Sequence, residues 1–325
     1  MTTENRFRAT ARAARRTSLA VADTLTYSPI VRSALTVGMT AVLSHPLLIN
    51  RMRVVADWAI TRSTAVVPGT RVDKIAGPPS GDWVRAPGAT DGAGVVLVLH
   101  GSGYLMCSAR THRGFASHLS RYSGMPALVI DYRLAPEHRF PAAEDDAMAA
   151  YRWLLAQGHA ARRVVVAGDS AGGHLAVAVA LRARREGLPA PAALALFAPL
   201  IDPAYRAART DRRIRRQPLD PRVAARAVGL YVGGHDVEDP RLCLLNADLS
   251  GLPPTQLHYG TREVMRADAE AFAGRMAAAG ARCDERIWPG LIHGYWLWPR
   301  DHGRTSLQTA GEFLRAAVTD ADTAS

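Results

Sequence analysis

From residue 94 to residue 288 the chain alternates short unbroken apolar runs with longer stretches of helical spacing. The apolar runs are Val95–Leu99, Ala127–Asp131, Val164–Ala167, Ala193–Ala198, Thr255–Tyr259 and Cys283–Trp288. They are rich in Val, Leu and Ile and lack the alternation of a half-exposed strand. They therefore predict strands buried on both faces of a mostly parallel sheet. Helical spacing follows at 111–123, 142–157, 171–185, 264–279 and 304–318. Strands and helices in this order predict an open α/β fold, a central sheet flanked by helices.

Two regions break the rhythm. Residues 1–60 have helical spacing with arginine on the polar positions. Within them, residues 33–49 form the most apolar segment, but His45 and Pro46 interrupt it and it falls short of a bilayer-spanning helix. Glycine, proline and two short strand-like pieces follow between Pro68 and Pro87, which predicts a boundary and then a β-hairpin. The second departure comes after Pro199. Residues 202–232 hold a loop, the cluster RAARTDRRIRR and a helix over Pro221–Tyr231. An insertion at a strand's carboxyl end stands over the crevice where such sheets bind ligands. The predicted division is a helical cap from 1–60 and 202–232, an α/β domain from 61–201 and 233–319, and a disordered tail at 320–325.

Candidate chemistry begins at Gly168-Asp169-Ser170-Ala171-Gly172. This G-x-S-x-G lies between a predicted strand and a predicted helix. A sharp turn there exposes the serine at the top of the sheet, and the flanking glycines let strand and helix approach closely. A hydroxyl needs a base to take its proton. Late in the chain, His293 stands in WPGLIHGYW, in a glycine-marked loop after the last predicted strand. His174 falls inside a helix, His258 inside a strand, and His235 and His302 in polar loops. A carboxylate must orient the imidazole. Glu263, four residues past the end of the Thr255–Tyr259 strand, is preferred, with Asp268, over a turn further into the helix, as the alternative. Donors for a developing oxyanion are expected from the backbone N–H groups of Ser102, Gly103 and Ala171, because His100-Gly101-Ser102-Gly103 follows the first long apolar run. Ser102 there makes a positive φ costly. Tyr104, Tyr205 and Leu291 are candidate substrate-binding residues.

Composition narrows the partners. The net charge is +11 and comes almost wholly from arginine, since Lys74 is the only lysine. No basic run carries the aromatic interleaving or motif spacing of a nucleic-acid module. Arginine bias explains the charge, although the arginines at 206, 209, 212, 213, 215 and 216 make a basic lid over an anionic substrate a testable idea. Cys107, Cys243 and Cys283 have neither disulfide-framework nor zinc spacing. Arg15-Arg16 is not followed by the clean apolar run of a secretory signal. A cytoplasmic location is expected, with membrane contact the less favoured reading and a homodimer left open.

The ordered set HGSGY (100–104), DYRLAPEHRFPAAEDD (131–146), GDSAGG (168–173), LSGLPPTQLHYGTREVMRADA (249–269) and GLIHGY (290–295) resembles the hormone-sensitive lipase family of α/β-hydrolases, in its bacterial esterase branch. The resemblance implies an α/β-hydrolase fold with a helical cap. It implies Ser170 as nucleophile, His293 as base, an acid at Glu263 and an oxyanion hole from Ser102, Gly103 and Ala171. It departs from the family pattern in HGSG for HGGG and in glutamate where many relatives carry aspartate. The segment Asp131–Asp146 is expected to form a buried ionic network holding the oxyanion loop. The expected activity is hydrolysis of short- to medium-chain acyl esters through an acyl-enzyme, with a small-molecule ester as substrate and no metal or other cofactor. The alternatives are an amide or lactone hydrolase, such as an N-acetyl hydrolase of a secondary metabolite; a non-catalytic small-molecule receptor; and a membrane-surface lipase.

Overall fold

A computed structural model of the chain describes residues 45–214 and 219–323. The first 44 residues of the expected cap, and Arg215 and Arg216 of its arginine cluster, lie outside the described residues. The eight strands are β1 (Arg71–Ile75), β2 (Gly81–Arg85), β3 (Val95–Leu99), β4 (Ala127–Ile130), β5 (Val164–Asp169), β6 (Leu194–Phe197), β7 (Thr255–Gly260) and β8 (Cys283–Trp288). They form one sheet in the order β1-β2-β4-β3-β5-β6-β7-β8. The β1–β2 and β2–β4 pairs are antiparallel and all others are parallel. The antiparallel pair β1–β2 is the predicted hairpin. Every side chain of β3, β4, β5 and β6 is buried, as unbroken apolar runs in a parallel sheet require. The rule fails at the edges: β1 (RVDKI) and β8 (CDERIW) are polar and partly exposed because a terminal strand has a neighbour on one side only.

The helices are α1 (Pro46–Ser63), α2 (Arg113–Ser123), α3 (Ala142–Ala156), α4 (Ala171–Arg185), α5 (Arg206–Thr210), α6 (Pro221–Val232), α7 (Arg266–Ala278) and α8 (His302–Thr323). α2 packs on α8, and α3 packs on α4. Helix α6 of the insertion has clear start and stop signals: the Asp220 carboxylate accepts from Arg222 N at 2.8 Å, Pro221 opens the first turn, and Gly233 closes it at φ 63°. α8 runs on to Thr323, so four of the six residues expected as a tail are helical; no glycine or proline stops it. α1 is tied to the body by Arg53, which donates to Leu105 O at 2.6 Å and to Glu137, and by Asp57, which accepts from Ser108. Among the described residues no helix is long and apolar enough to cross a membrane.

This topology decides where a site can form. The chain goes from β3 to β4 on one side, then returns to β5 on the other side of β3. The carboxyl ends of β3 and β5 are therefore neighbours at the point where strand order reverses, which is where open α/β sheets bind ligands. The loop after β3 is His100–Tyr104, and the residue after β5 is Ser170.

Candidate active site

Ser170 sits between β5 and α4 at φ 51° and ψ −119°, a strained conformation for a residue with a side chain. The turn is held from both sides: Ser170 N donates to Phe197 O at 2.9 Å, and Leu200 N donates to Ser170 O at 2.9 Å. The flanking glycines are required by contact. A Cβ on Gly168 would lie 2.2 Å from Gly172 O, and one on Gly172 would lie 1.9 Å from Leu99 O. The G-x-S-x-G pattern therefore encodes the close approach of β3, β5 and α4.

The oxyanion loop is strained as well. Ser102 lies at φ 91°, Gly103 at φ 64° and Tyr104 at φ 64°. The serine that replaces glycine tolerates this by donating its hydroxyl to Met106 O at 2.7 Å. Among the described residues, no acceptor takes the backbone N–H groups of Ser102, Gly103 or Ala171. Three expected donors are thus open for an anionic oxygen.

Glu263 and His293 come from the loops after β7 and β8. These loops are zipped together: Thr261 N donates to Trp288 O at 2.9 Å, Gly290 N to Thr261 Oγ1 at 2.9 Å and Arg262 N to Leu291 O at 3.2 Å. A Cβ on Gly260 would lie 2.0 Å from Leu291 O, so only glycine lets the loops close this far. His293 Nδ1 lies 2.9 Å from Glu263 Oε1. The longer glutamate side chain fits by turning back on its own loop, where the same oxygen accepts from Met265 N at 3.2 Å. Glu263 is fully buried, and the His293 side chain keeps 21% exposure. Burial pulls the His293 pKa down, but the Glu263 charge and hydrogen bond, helped by Asp169, outweigh it and leave the pKa raised. Asp268 is also buried but does not bond His293. Ser170 Oγ and His293 Nε2 carry no hydrogen bond among the described residues.

What joins the histidine loop to the serine is a residue the sequence reading passed over. Asp169, 3% exposed, accepts Gly101 N at 3.0 Å from the oxyanion loop and Trp296 Nε1 at 2.8 Å from the histidine loop. His112 Nε2 stands 3.3 Å from the same carboxylate. The Trp296 ring meets the His293 ring edge to face at 5.1 Å. One buried carboxylate thus ties three loops together. Its sequence signal was a charge closing an apolar strand: a buried carboxylate demands donors.

Tyr104 and Tyr205 are nearly sealed, at 1% and 4% exposure, and Tyr104 stacks on Tyr231 of α6 at 3.9 Å. Leu291 is half-buried on the histidine loop. His174 is packed against Tyr104, and His258 is buried between Ser306 and Gln256. A Cβ on Gly103 would lie 3.9 Å from Val228, so α6 covers the oxyanion loop. The Asp131–Asp146 segment does brace that loop: Asp131 accepts Ala109 N, and Glu137 grips Arg53, which donates to Leu105 O. It is only in part the buried network expected: Glu144 is buried and faces Arg182 and Arg185, whereas Arg133–Asp146 and Arg53–Glu137 are surface pairs. The basic lid is partly neutralised. Arg206 pairs with Asp202 and Glu238, and Arg213 with Asp211 and Glu270. Among the described residues no cluster of three or more His, Cys, Asp or Glu side chains could hold a metal ion.

The family model described as the alpha/beta hydrolase fold matches residues 96–297. The chain belongs to this family. It is 39% identical over 241 residues to an acetyl-hydrolase of Streptomyces hygroscopicus, covering 73% of this chain and 80% of that protein. It is 38% identical over 249 residues to the carboxylesterase/phospholipase LipF of Mycobacterium tuberculosis, covering 73% of this chain and 66% of LipF. An esterase structure from the bacterial hormone-sensitive lipase family superposes with a TM-score of 0.80 at 34% identity, covering 88% of this chain and 98% of that one. The chain is thus a hormone-sensitive-lipase-like α/β-hydrolase and a carboxylic ester hydrolase.

Proposed function

We propose that Ser170, His293 and Glu263 hydrolyse short- to medium-chain acyl esters through an acyl-enzyme. The observation that carries this reading is the 2.9 Å contact between His293 Nδ1 and Glu263 Oε1. It commits Nδ1 to the carboxylate and leaves Nε2 for the serine proton. Nε2 takes that proton as Ser170 Oγ attacks the carbonyl carbon. The tetrahedral oxyanion is received by the open N–H groups of Ser102, Gly103 and Ala171. The imidazolium then protonates the departing alcohol. Water, activated by the same nitrogen, releases the acid. The Ser170–His293 hydrogen bond forms as substrate binds, since such contacts are commonly loose in a resting site.

The chain-length limit rests on the cap. Val228 and Tyr231 of α6 cover the oxyanion loop. Leu291 is the candidate substrate contact left partly exposed, while Tyr104 and Tyr205 would shape the pocket wall from behind. The three cysteines, all free, suit a reducing cytoplasm. The test is a panel of p-nitrophenyl acetate, butyrate and octanoate, with an N-acetyl anilide as the amide arm. The wild type should favour the shorter esters over octanoate and the anilide. Ser170→Ala should lower turnover about ten-thousand-fold or more. Undiminished turnover in that variant would remove Ser170 from the chemistry.

A further inference from the structure

A second concave site lies away from the catalytic groups. It is a pocket of about 470 Å³ between α2, the chain leaving α1, and the segment that joins the histidine loop to α8. Arg121 of α2, Arg300 of the joining segment and Arg304 of the first turn of α8 all line it. Several arginines elsewhere, Arg85, Arg133, Arg182 and Arg213 among them, are held by carboxylates. Among the described residues Arg121, Arg300 and Arg304 have no such partner. Like charges converging without a counter-charge repel one another, and the arrangement is relieved when an anion enters.

The remaining lining points the same way. His118 sits in the pocket wall with Nδ1 buried and without a hydrogen-bond partner. Burial first, then the charges of Arg304 and Arg121, push its pKa below the ordinary value. Trp298 forms an apolar wall, 46% exposed, with its indole N–H committed to Ser63 Oγ at 3.0 Å. Tyr122 stacks on His118 at 6.0 Å, which steadies the ring.

We propose that this pocket binds a phosphate group. Three guanidinium forks exceed what a singly charged carboxylate compensates, whereas a phosphate offers more oxygens and more charge. The exposed Trp298 face beside them suits the apolar or glycerol part of a phosphate ester. The phosphate belongs either to a soluble phosphate compound or to a phospholipid headgroup at a membrane surface. This inference stands apart from the ester-hydrolase reading, because none of these residues belongs to the Ser170 site.

Calorimetric titration of the full chain with inorganic phosphate tests the site. Co-sedimentation with vesicles of phosphatidylglycerol and phosphatidylcholine in equal parts, against pure phosphatidylcholine, tests the lipid source. Saturable phosphate binding with no preference between vesicles assigns a soluble ligand. Preferential sedimentation with phosphatidylglycerol assigns a headgroup. In either case Arg121→Gln/Arg304→Gln should weaken binding about tenfold or more, with p-nitrophenyl acetate turnover unchanged. Arg300→Gln, in the joining segment, should weaken it in the same direction and guards against a helix defect in the double variant. Binding of neither probe, or binding that survives both sets of substitutions, would overturn the proposal.

Discussion

The floor of the site and the cap insertion are held by different forces. In the floor, Ser102, Tyr104 and Ser170 all sit at positive φ, a strain of about 1–3 kcal/mol at each. The strain is balanced by backbone hydrogen bonds and by the buried Asp169, which grips two loops through N–H donors. In the insertion, α6 is packed through the buried Val228 and Tyr231, while its outer side is tethered by arginine pairs, Arg206 to the buried Asp202 and to Glu238, and Arg213 to Asp211 and Glu270. The solvent-exposed pairs, Arg206–Glu238 and Arg213–Glu270, contribute about 0–1 kcal/mol each and weaken with salt. The floor is thus built to keep its geometry, while this side of the insertion yields at little cost. A covered site needs both: fixed donors for the transition state and a cover that lets ester in and alcohol out.

Four substitutions test this contrast, in decreasing order of effect. Glu263→Gln should lower kcat about a thousand- to ten-thousand-fold, because the amide no longer holds the imidazole tautomer or its cation. It should also move the acid limb of kcat/KM to lower pH. As the proposed base His293 would work in its neutral form, so activity should rise with pH through its pKa, which the Glu263 charge and hydrogen bond raise. A variant with wild-type turnover and an unmoved limb would exclude Glu263 as the acid.

Asp169→Asn comes next. Its amide presents an N–H toward one of two donors, Gly101 N or Trp296 Nε1, so one loop must shift. We expect kcat to fall about ten- to a hundredfold with KM nearly constant, and affinity for a boronic acid transition-state mimic to fall in step. A rise in KM at constant kcat would instead mean that Asp169 shapes substrate binding.

Asp268→Asn should change stability rather than rate. Burial, and then the nearby Asp202 charge, push its pKa up to about 7. The folded chain therefore keeps a proton that the unfolded chain has released, and wild-type stability falls as pH rises from the ordinary carboxyl range through 7. Asparagine does not ionise, so the variant should gain up to a few kcal/mol at about pH 8 and little at about pH 4. Urea unfolding midpoints at the two pH values measure it. An equal effect at both would show that Asp268 ionises freely.

Arg213→Gln should be the smallest. Loss of its two pairs should cost no more than about 2 kcal/mol, the Glu270 part shrinking as salt is added, with kcat unchanged. Comparing melting temperatures at low and high salt checks this. A salt-independent loss would place the insertion among the rigid parts of the molecule.

The central strands, the hairpin, helix α6 and the order of the site segments were all legible along the chain. Unbroken apolar runs mean two-sided burial, and Asp220-Pro221 and Gly233 are local capping signals. The limits of the reading are equally physical. β8 was expected to be buried on both faces, but an edge position is a property of the sheet and not of Cys283–Trp288. Of the charges of Asp131–Asp146, expected inside, Glu144 is buried while Arg133–Asp146 and Arg53–Glu137 pair at the surface; charge pattern alone does not tell the two apart. Asp169 was read only as a letter of the serine motif, because its partners Gly101 and Trp296 lie 68 and 127 positions away in the chain.

By itself the sequence determined which atoms are available for chemistry and where the backbone must bend: a serine between glycines, a late histidine, and loops that tolerate close approach only at glycine. Those constraints are local, set by side-chain bulk and hydrogen-bonding groups within a few residues. The tertiary structure decided which of two acids meets His293, that Asp169 binds the loops together, and that Arg206 and Arg213 of the insertion pair with carboxylates. These outcomes depend on distances across the sheet, where the reversal of strand order at β3 and β5 brings together residues that the chain keeps far apart.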